Sequence, residues 1–286
     1  MPVAPDHRCN RMNRPMLSDR TADLSTTERD LAEGRWQRMP EAVLSHPPLH
    51  SPSIGLLELS TEVVMAREIL AFLPATAGVY AGRMEFNDAA DIAGLTAVSE
   101  VIPAAADLLP GAEWLHAIVY GCTSGTIVLG EQKVRDLIGI TRPDVPVVTP
   151  IGSVLKALKA LKVRRLGVVT PYVDEVNALV ARTLTDAGMK IVSARTLGQL
   201  TGAQMYLTPP DVFLEAALAA DTSEADALFI SCTGIAVSPI LKKLEDRIGK
   251  PVVSSNQAIA WECCQRAGTA ADLNRHGRLF SQPLPE

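Results

Sequence analysis

From Ser53 onward, short continuous apolar runs alternate with longer stretches whose apolar residues recur every three or four positions. The runs Ile54–Leu59, Gly78–Phe86, Trp114–Tyr120 and Val145–Val148 read as strands. Helices are expected over Thr61–Leu73, Leu95–Leu109, Ile127–Ile138 and Val154–Leu161. The second half repeats the alternation, with strands over Leu166–Val169, Lys190–Arg195, Ala227–Ser231 and Pro251–Ser254. Its helices fall over Val173–Ala187, Pro210–Ala220, Pro239–Ile248 and Gln257–Ala267. Continuous apolar strands are what a sheet covered on both faces requires. Strict strand–helix alternation implies parallel sheets with right-handed crossovers, an α/β fold.

The two halves resemble each other. SIGLLELS recurs as RLGVVTPY with Gly55 and Gly167 in register, YGCTSG recurs as ISCTGI, and VPVVTP recurs as KPVVSS. The offset stays at about 105–112 residues across the three landmarks, which points to a duplicated lobe. Residues 1–53 differ in character, being rich in arginine and proline, with His7, His46 and His50 and weak periodicity apart from a helical stretch around Thr26–Met39. They read as a disordered extension.

Composition narrows the function classes. Apolar residues make up 47% of the 286 and charged residues 21%, which is globular rather than disordered. The net charge of −5, with no basic stripe, gives no footprint for nucleic acid. No apolar run reaches the roughly 18–20 residues of a membrane helix. The polar, proline-rich start is not a secretory signal, so a cytoplasmic location is expected. The chain lacks G-x-G-x-x-G after its first strand, a phosphate-binding G-x-x-x-x-G-K-[ST] and C-x-x-C. Glu113, His116 and the other histidines show no metal-site spacing.

Five cysteines, Cys9, Cys122, Cys232, Cys263 and Cys264, form no disulfide framework. A free cysteine is most often a small buried hydrophobe, and Cys9, Cys263 and Cys264 keep that reading. Cys122 and Cys232 stand apart because each follows an apolar strand, precedes a helix and occupies the same place in the repeat. In open α/β sheets that place, beyond the carboxyl ends of the strands, is where ligands bind. Thr123, Ser124 and Gly125 follow one cysteine, and Thr233 and Gly234 follow the other, so backbone N–H groups are available to an anion there. A helix start also lowers a thiol pKa toward what a general base or nucleophile needs. Ser238-Pro239 reads as a helix start and Gly249 as its stop.

With these residues, the chain resembles the aspartate/glutamate racemase superfamily, in the branch of maleate cis-trans isomerase, arylmalonate decarboxylase and the ectoine-utilisation proteins. The resemblance rests on GCTSGT (Gly121–Thr126), TPY (Thr170–Tyr172), ISCTGI (Ile230–Ile235) and KPVVSSNQAIAW (Lys250–Trp261), and runs over about residues 54–270. It implies two pseudo-symmetric lobes, each a mainly parallel sheet flanked by helices, with the active site in the cleft between them. The first lobe would comprise 54–149 with 255–286, and the second 150–254. The resemblance further implies no cofactor, no metal, a small carboxylate substrate and, by analogy, a homodimer. Cys122 and Cys232 match the catalytic pair, Thr123, Ser124, Thr233 and Gly234 the substrate-carboxylate donors, and Tyr172 a tyrosine that hydrogen-bonds a carboxylate.

Two departures stand out. Where maleate isomerases have a Pro-Ser-Ser-Asn-Thr type loop after the first strand, this chain keeps Ser60 but has Glu62 in place of the asparagine, and the family asparagine expected around Thr201–Gln204 is missing. Glu62 is counted with Ser60 among the substrate-binding residues. As an anion it repels a plain diacid and attracts an ammonium group, which favours an amino-acid-like substrate. The expected activity is a cofactor-independent two-cysteine racemase or isomerase acting on a small carboxylate or amino acid, within ectoine utilisation or outside it. The alternatives are a maleate cis-trans isomerase, an arylmalonate-type decarboxylase and a non-catalytic carboxylate-binding protein. Family decarboxylases use only the second-lobe cysteine, so Cys122 ranks decarboxylation lower.

Overall fold

The computed structural model describes residues 25–36, 46–269 and 276–285. The chain divides into a unit of residues 1–45 and a unit of residues 46–286. In the first, helix α1 (Thr26–Ala32) is closed by a capping box: Ser25 Oγ accepts from Glu28 N, and the Glu28 carboxylate accepts from Ser25 N. Within the stretch read as disordered, this helix occupies the start of the helical segment suggested over Thr26–Met39. The remainder of that segment, and Cys9, lie outside the described residues.

The second unit contains two four-stranded sheets. Strand β1 (Ser53–Leu59) leads to α2 (Met65–Phe72) and β2 (Gly78–Met84), followed by α3 (Ile92–Ala97) and α4 (Ile102–Asp107). Next come β3 (Ala117–Tyr120), α5 (Thr123–Leu129), α6 (Glu131–Gly139), β4 (Val147–Val148) and α7 (Pro150–Ala160). The second half runs β5 (Arg165–Tyr172), α8 (Asp174–Asp186), β6 (Lys190–Gln199), α9 (Gly202–Leu207), α10 (Pro210–Ala220), β7 (Ala227–Ile230), α11 (Ser238–Ile248), β8 (Val252–Ser254) and α12 (Ser255–Arg266). The sheets have matching orders, β2-β1-β3-β4 and β6-β5-β7-β8, and every pairing within them is parallel. The duplicated α/β architecture expected from the repeat is therefore present, and β1, β3, β5 and β7 end on the elements that carry the candidate chemistry.

Several helix boundaries differ from the periodicity, for local reasons. The span expected at Leu95–Leu109 is split into α3 and α4, the second starting with Pro103 in its first turn, where a missing N–H is tolerated. The span expected at Ile127–Ile138 starts earlier, at Thr123, and breaks where Gly130 takes φ +84°. Trp114 belongs to a 3-10 turn, so β3 begins at Ala117. Helix α9 was not foreseen; Thr201 and Gln204 form its capping box. Gly249, at φ +71°, ends α11 as its sequence suggests.

Helix α12 is buried along Ser255–Cys264 and packs on α7 and α2. Buried Glu262 binds Ser153 Oγ (2.8 Å), Lys156 Nζ (2.5 Å) and Arg266 Nε (2.8 Å), fixing α12 to α7. Burial opposes its ionisation, but these donors outweigh it and hold the carboxyl below its usual range. The two halves are also joined by Glu68 of α2, which accepts from Val237 N, Ser238 N and Ser238 Oγ at the start of α11. Cys263 and Cys264 are buried thiols in α12, as the hydrophobe reading expects, with Cys264 pushed up to about 12 by desolvation. No helix among the described residues is long and apolar enough to cross a membrane.

Candidate active site

Strands β3 and β7 occupy equivalent places in the two sheets, and their C-terminal ends deliver Cys122 and Cys232 to one crevice. Its wall includes Glu62, Ser124, Met205, Tyr206, Thr233 and Gly234, with Leu59, Phe86, Ala90 and Leu95 completing an apolar side. The free volume is about 20 Å³, room for about one water.

Each thiol is fixed by its own loop. Cys122 is the N-cap of α5: Gly125 N–H donates to its Sγ at 3.2 Å, and Ser124 Oγ lies 3.5 Å from it. Gly125 is required here, because a Cβ would stand 2.8 Å from Tyr120 Oη and 3.1 Å from Cys122 Sγ. The buried Tyr120 hydroxyl has no hydrogen-bond partner among the described residues. Cys232 adopts φ 141°, a backbone conformation L residues rarely take. It is held there by Cys232 N–H donating to Ser255 Oγ (3.3 Å) and Gly234 N–H donating to Cys232 Sγ (3.3 Å). Its own S–H donates to Met205 Sδ at 3.9 Å.

The two cysteine loops are tied directly to each other. Thr233 Oγ1–H donates to Gly121 O (3.0 Å), and Thr123 Oγ1–H donates to Ser255 Oγ (2.9 Å). Ser255 therefore touches both loops, and Asn256 Nδ2–H donates to Thr233 O (2.8 Å). This arrangement fixes the relative placement of the sulfurs without any flexible linker.

Both thiols are only 6% exposed, and this reverses the expectation that a helix start lowers their pKa. Desolvation pushes Cys122 up, against the Ser124 and Gly125 hydrogen bonds that favour thiolate, with Glu62 adding to the rise. Cys232 is driven higher, first by desolvation and then by the Cys122 charge, with the Gly234 N–H and Tyr172 opposing. The hydrogen bonds of the two sulfurs differ: Cys122 Sγ meets Gly125 N–H and Ser124 Oγ of its own loop, whereas the Cys232 S–H is directed to Met205 Sδ.

The remaining candidates divide. Glu62, Ser124, Thr233 and Gly234 line the crevice with the cysteines. Ser60 does not; it is exposed at the end of β1, where its Oγ binds the Phe86 backbone at 3.1 and 3.3 Å. Thr123 directs its hydroxyl to Ser255. Tyr172 lies fully buried behind Cys232, its hydroxyl 3.2 Å from Ser231 Oγ, so it meets the thiol and not the crevice. Thr201 and Gln204 serve as the α9 cap, while Met205 and Tyr206 of the same helix reach the crevice. Sequence reading missed Met205, Tyr206, Ser255 and Asn256. The last two stand inside the KPVVSSNQAIAW motif, which was their signal.

Comparison with known proteins follows this geometry. Residues 88–280 match the family described as Amdase, arylmalonate decarboxylase. The chain is 34% identical over 143 residues to an arylmalonate decarboxylase of Bordetella bronchiseptica, a match covering 48% of this chain and 58% of that enzyme. It is 27% identical over 244 residues to a maleate isomerase of Nocardia farcinica, covering 80% of this chain and 95% of the relative. Among solved structures it matches a cysteine-to-serine mutant of the Nocardia farcinica maleate cis-trans isomerase with a covalently bound succinylcysteine intermediate, with a TM-score of 0.70 and 24% identity over 80% of this chain and 97% of that one. The fold, the paired cysteine loops and these matches together show that the chain belongs to the arylmalonate decarboxylase family, which it shares with maleate isomerases.

Proposed function

We propose that the protein is a cofactor-independent cis–trans isomerase of a small cis-alkenoic acid, with Cys122 as nucleophile and Cys232 as acid. The observation that supports this most is the presence of two thiols, delivered by equivalent strands of the two halves, in one crevice, with Gly125 N–H and Ser124 Oγ on Cys122 and the Cys232 S–H directed to Met205 Sδ. A sulfur met by hydrogen-bond donors suits the nucleophile, and one that holds its S–H suits the proton donor.

Once the Cys122 thiol has released its proton to solvent, the chemistry balances with these residues alone. The Cys122 thiolate forms a C–S bond to one alkene carbon, and the π pair moves to the other, where an adjacent carbonyl spreads it. Cys232 S–H protonates that carbon, giving a saturated adduct with a freely rotating C–C bond. After rotation the Cys232 thiolate takes the proton back, the C–S bond breaks and the trans alkene leaves. Gly125 N–H and Ser124 Oγ hold the Cys122 charge whenever it is free. The succinylcysteine of the Nocardia farcinica relative is the same kind of adduct.

Decarboxylation of a disubstituted malonate is the second reading, favoured by the family match over residues 88–280 and by the apolar side of the crevice. It gives Cys122 no task. Racemisation and a place in ectoine utilisation find no counterpart among the relatives above and are not carried further. The test is proton NMR of the purified protein with cis-alkenoic acids and, separately, with an arylmalonate. Alkene isomerisation supports the proposal; carbon dioxide release from the malonate without isomerisation overturns it.

A further inference from the structure

Glu62 is the charged group of the crevice, and its geometry restricts what can be bound there. The residue is 3% exposed. Oε1 accepts from Val64 N (2.6 Å) and Met65 N (3.1 Å) at the start of α2. Oε2 lies 2.8 Å from the point where a Gly234 Cβ would stand, and Glu62 and Gly234 line the crevice together. No Lys, Arg or His is among the described residues that line the crevice. Arg83 holds the backbone oxygens of Leu59 and Glu62 and pairs with Glu58, approaching Glu62 from outside the crevice.

From this we infer that the substrate carries one carboxylate and, at its other end, a group with N–H donors that meets Glu62 Oε2, in place of a second carboxylate. The inference rests on the isomerase reading above and names its substrate class. A diacid would set its second carboxylate against a buried carboxyl with no lining cation between them. A carboxamide or an ammonium group supplies a donor that can meet the Glu62 carboxyl. A carboxamide also keeps the chemistry intact, because its carbonyl spreads the electron pair released when Cys122 adds to the alkene.

Glu62→Gln separates shape from charge, since its amide oxygen can keep the Val64 and Met65 contacts while its NH2 turns into the crevice as a donor. Four probes are compared at pH 8: maleamate (carboxylate and carboxamide), monomethyl maleate (carboxylate and ester, no N–H), maleate (two carboxylates) and cis-4-aminobut-2-enoate (carboxylate and ammonium). With wild type, kcat/KM for maleamate should exceed that for maleate and for the ester by at least tenfold. In Glu62→Gln the maleamate-to-maleate ratio should fall at least tenfold. Equal rates for amide and ester, a wild-type preference for maleate, or an unchanged ratio in the variant overturns the inference.

Melting temperatures with the same four probes distinguish its failure from failure of the isomerase reading. If no alkene isomerises but an N–H-bearing probe raises the wild-type melting temperature and not that of Glu62→Gln, the recognition stands and the reaction class falls. A wild-type shift that is largest with maleate overturns the recognition. The aminobutenoate arm shows whether ammonium or carboxamide is the donor taken.

Discussion

Replacing Glu68 by alanine should loosen the join between the two halves of the second unit by a calculable amount. Glu68 is 4% exposed, and its carboxylate accepts from Val237 N (3.0 Å), Ser238 N (2.8 Å) and Ser238 Oγ (2.7 Å). Val237 is fully buried, so its orphaned N–H finds no water and costs about 1–3 kcal/mol. Ser238 is half-buried and can turn to solvent, which limits its loss to about 0.5–1 kcal/mol, as for a missing helix cap. Burial pushes the Glu68 carboxyl up, so deleting it also relieves a desolvation cost. The net loss expected for Glu68→Ala is about 2–3 kcal/mol, or about 4–12 °C in melting midpoint for a body of this size. Glu68→Gln keeps an acceptor of the same shape and should stay within about 1 kcal/mol of wild type. Urea unfolding of both variants reads the difference. If the alanine variant is as stable as wild type, or glutamine is as damaging as alanine, the capping argument fails.

Two other outcomes follow from the site. Because Cys232 sits at φ 141°, Cys232→Gly should be more stable to urea than Cys232→Ala, the reverse of the usual order; an alanine variant that is equally or more stable shows that the backbone is not strained there. Burial raises Glu58, Glu62, Glu68 and Glu245 above the ordinary 4.5, so the folded chain keeps protons that the unfolded chain has released. Their contribution to stability is therefore greatest at or below 4.5 and declines as pH rises through the folded values. Glu62→Gln should gain on wild type as pH goes from 4.5 to 8; a gap that is constant or narrows contradicts this sign.

The α/β architecture was legible because a buried parallel strand has a distinctive pattern, continuous apolar residues ending in small polar ones, and because the pattern occurs twice. The same repeat singled out Cys122 and Cys232 from the three cysteines that carry no comparable context. Sequence could not show depth. The thiols lie beside hydrogen-bond donors, as their loops suggest, yet desolvation outweighs those donors and moves both pKa values upward. Depth also separates Tyr172, which backs Cys232, from Tyr206, which faces the crevice from a helix too short to leave a periodic signal. Ser60 is one residue past β1, and the turn there sends its hydroxyl to Phe86 rather than inward. Glu62 was legible as a position and as a charge. The direction of its second oxygen needed the fold.

The division of labour between the sulfurs can be measured by intact mass and peptide mapping after incubating Cys232→Ser and Cys122→Ser with the alkene that wild type converts. If Cys122 adds to the alkene and Cys232 handles the proton, Cys232→Ser should gain one substrate mass on the Cys122 peptide while turnover falls at least a hundredfold. Cys122→Ser should gain none. An adduct on Cys232, or full turnover by either variant, would contradict the two-thiol account.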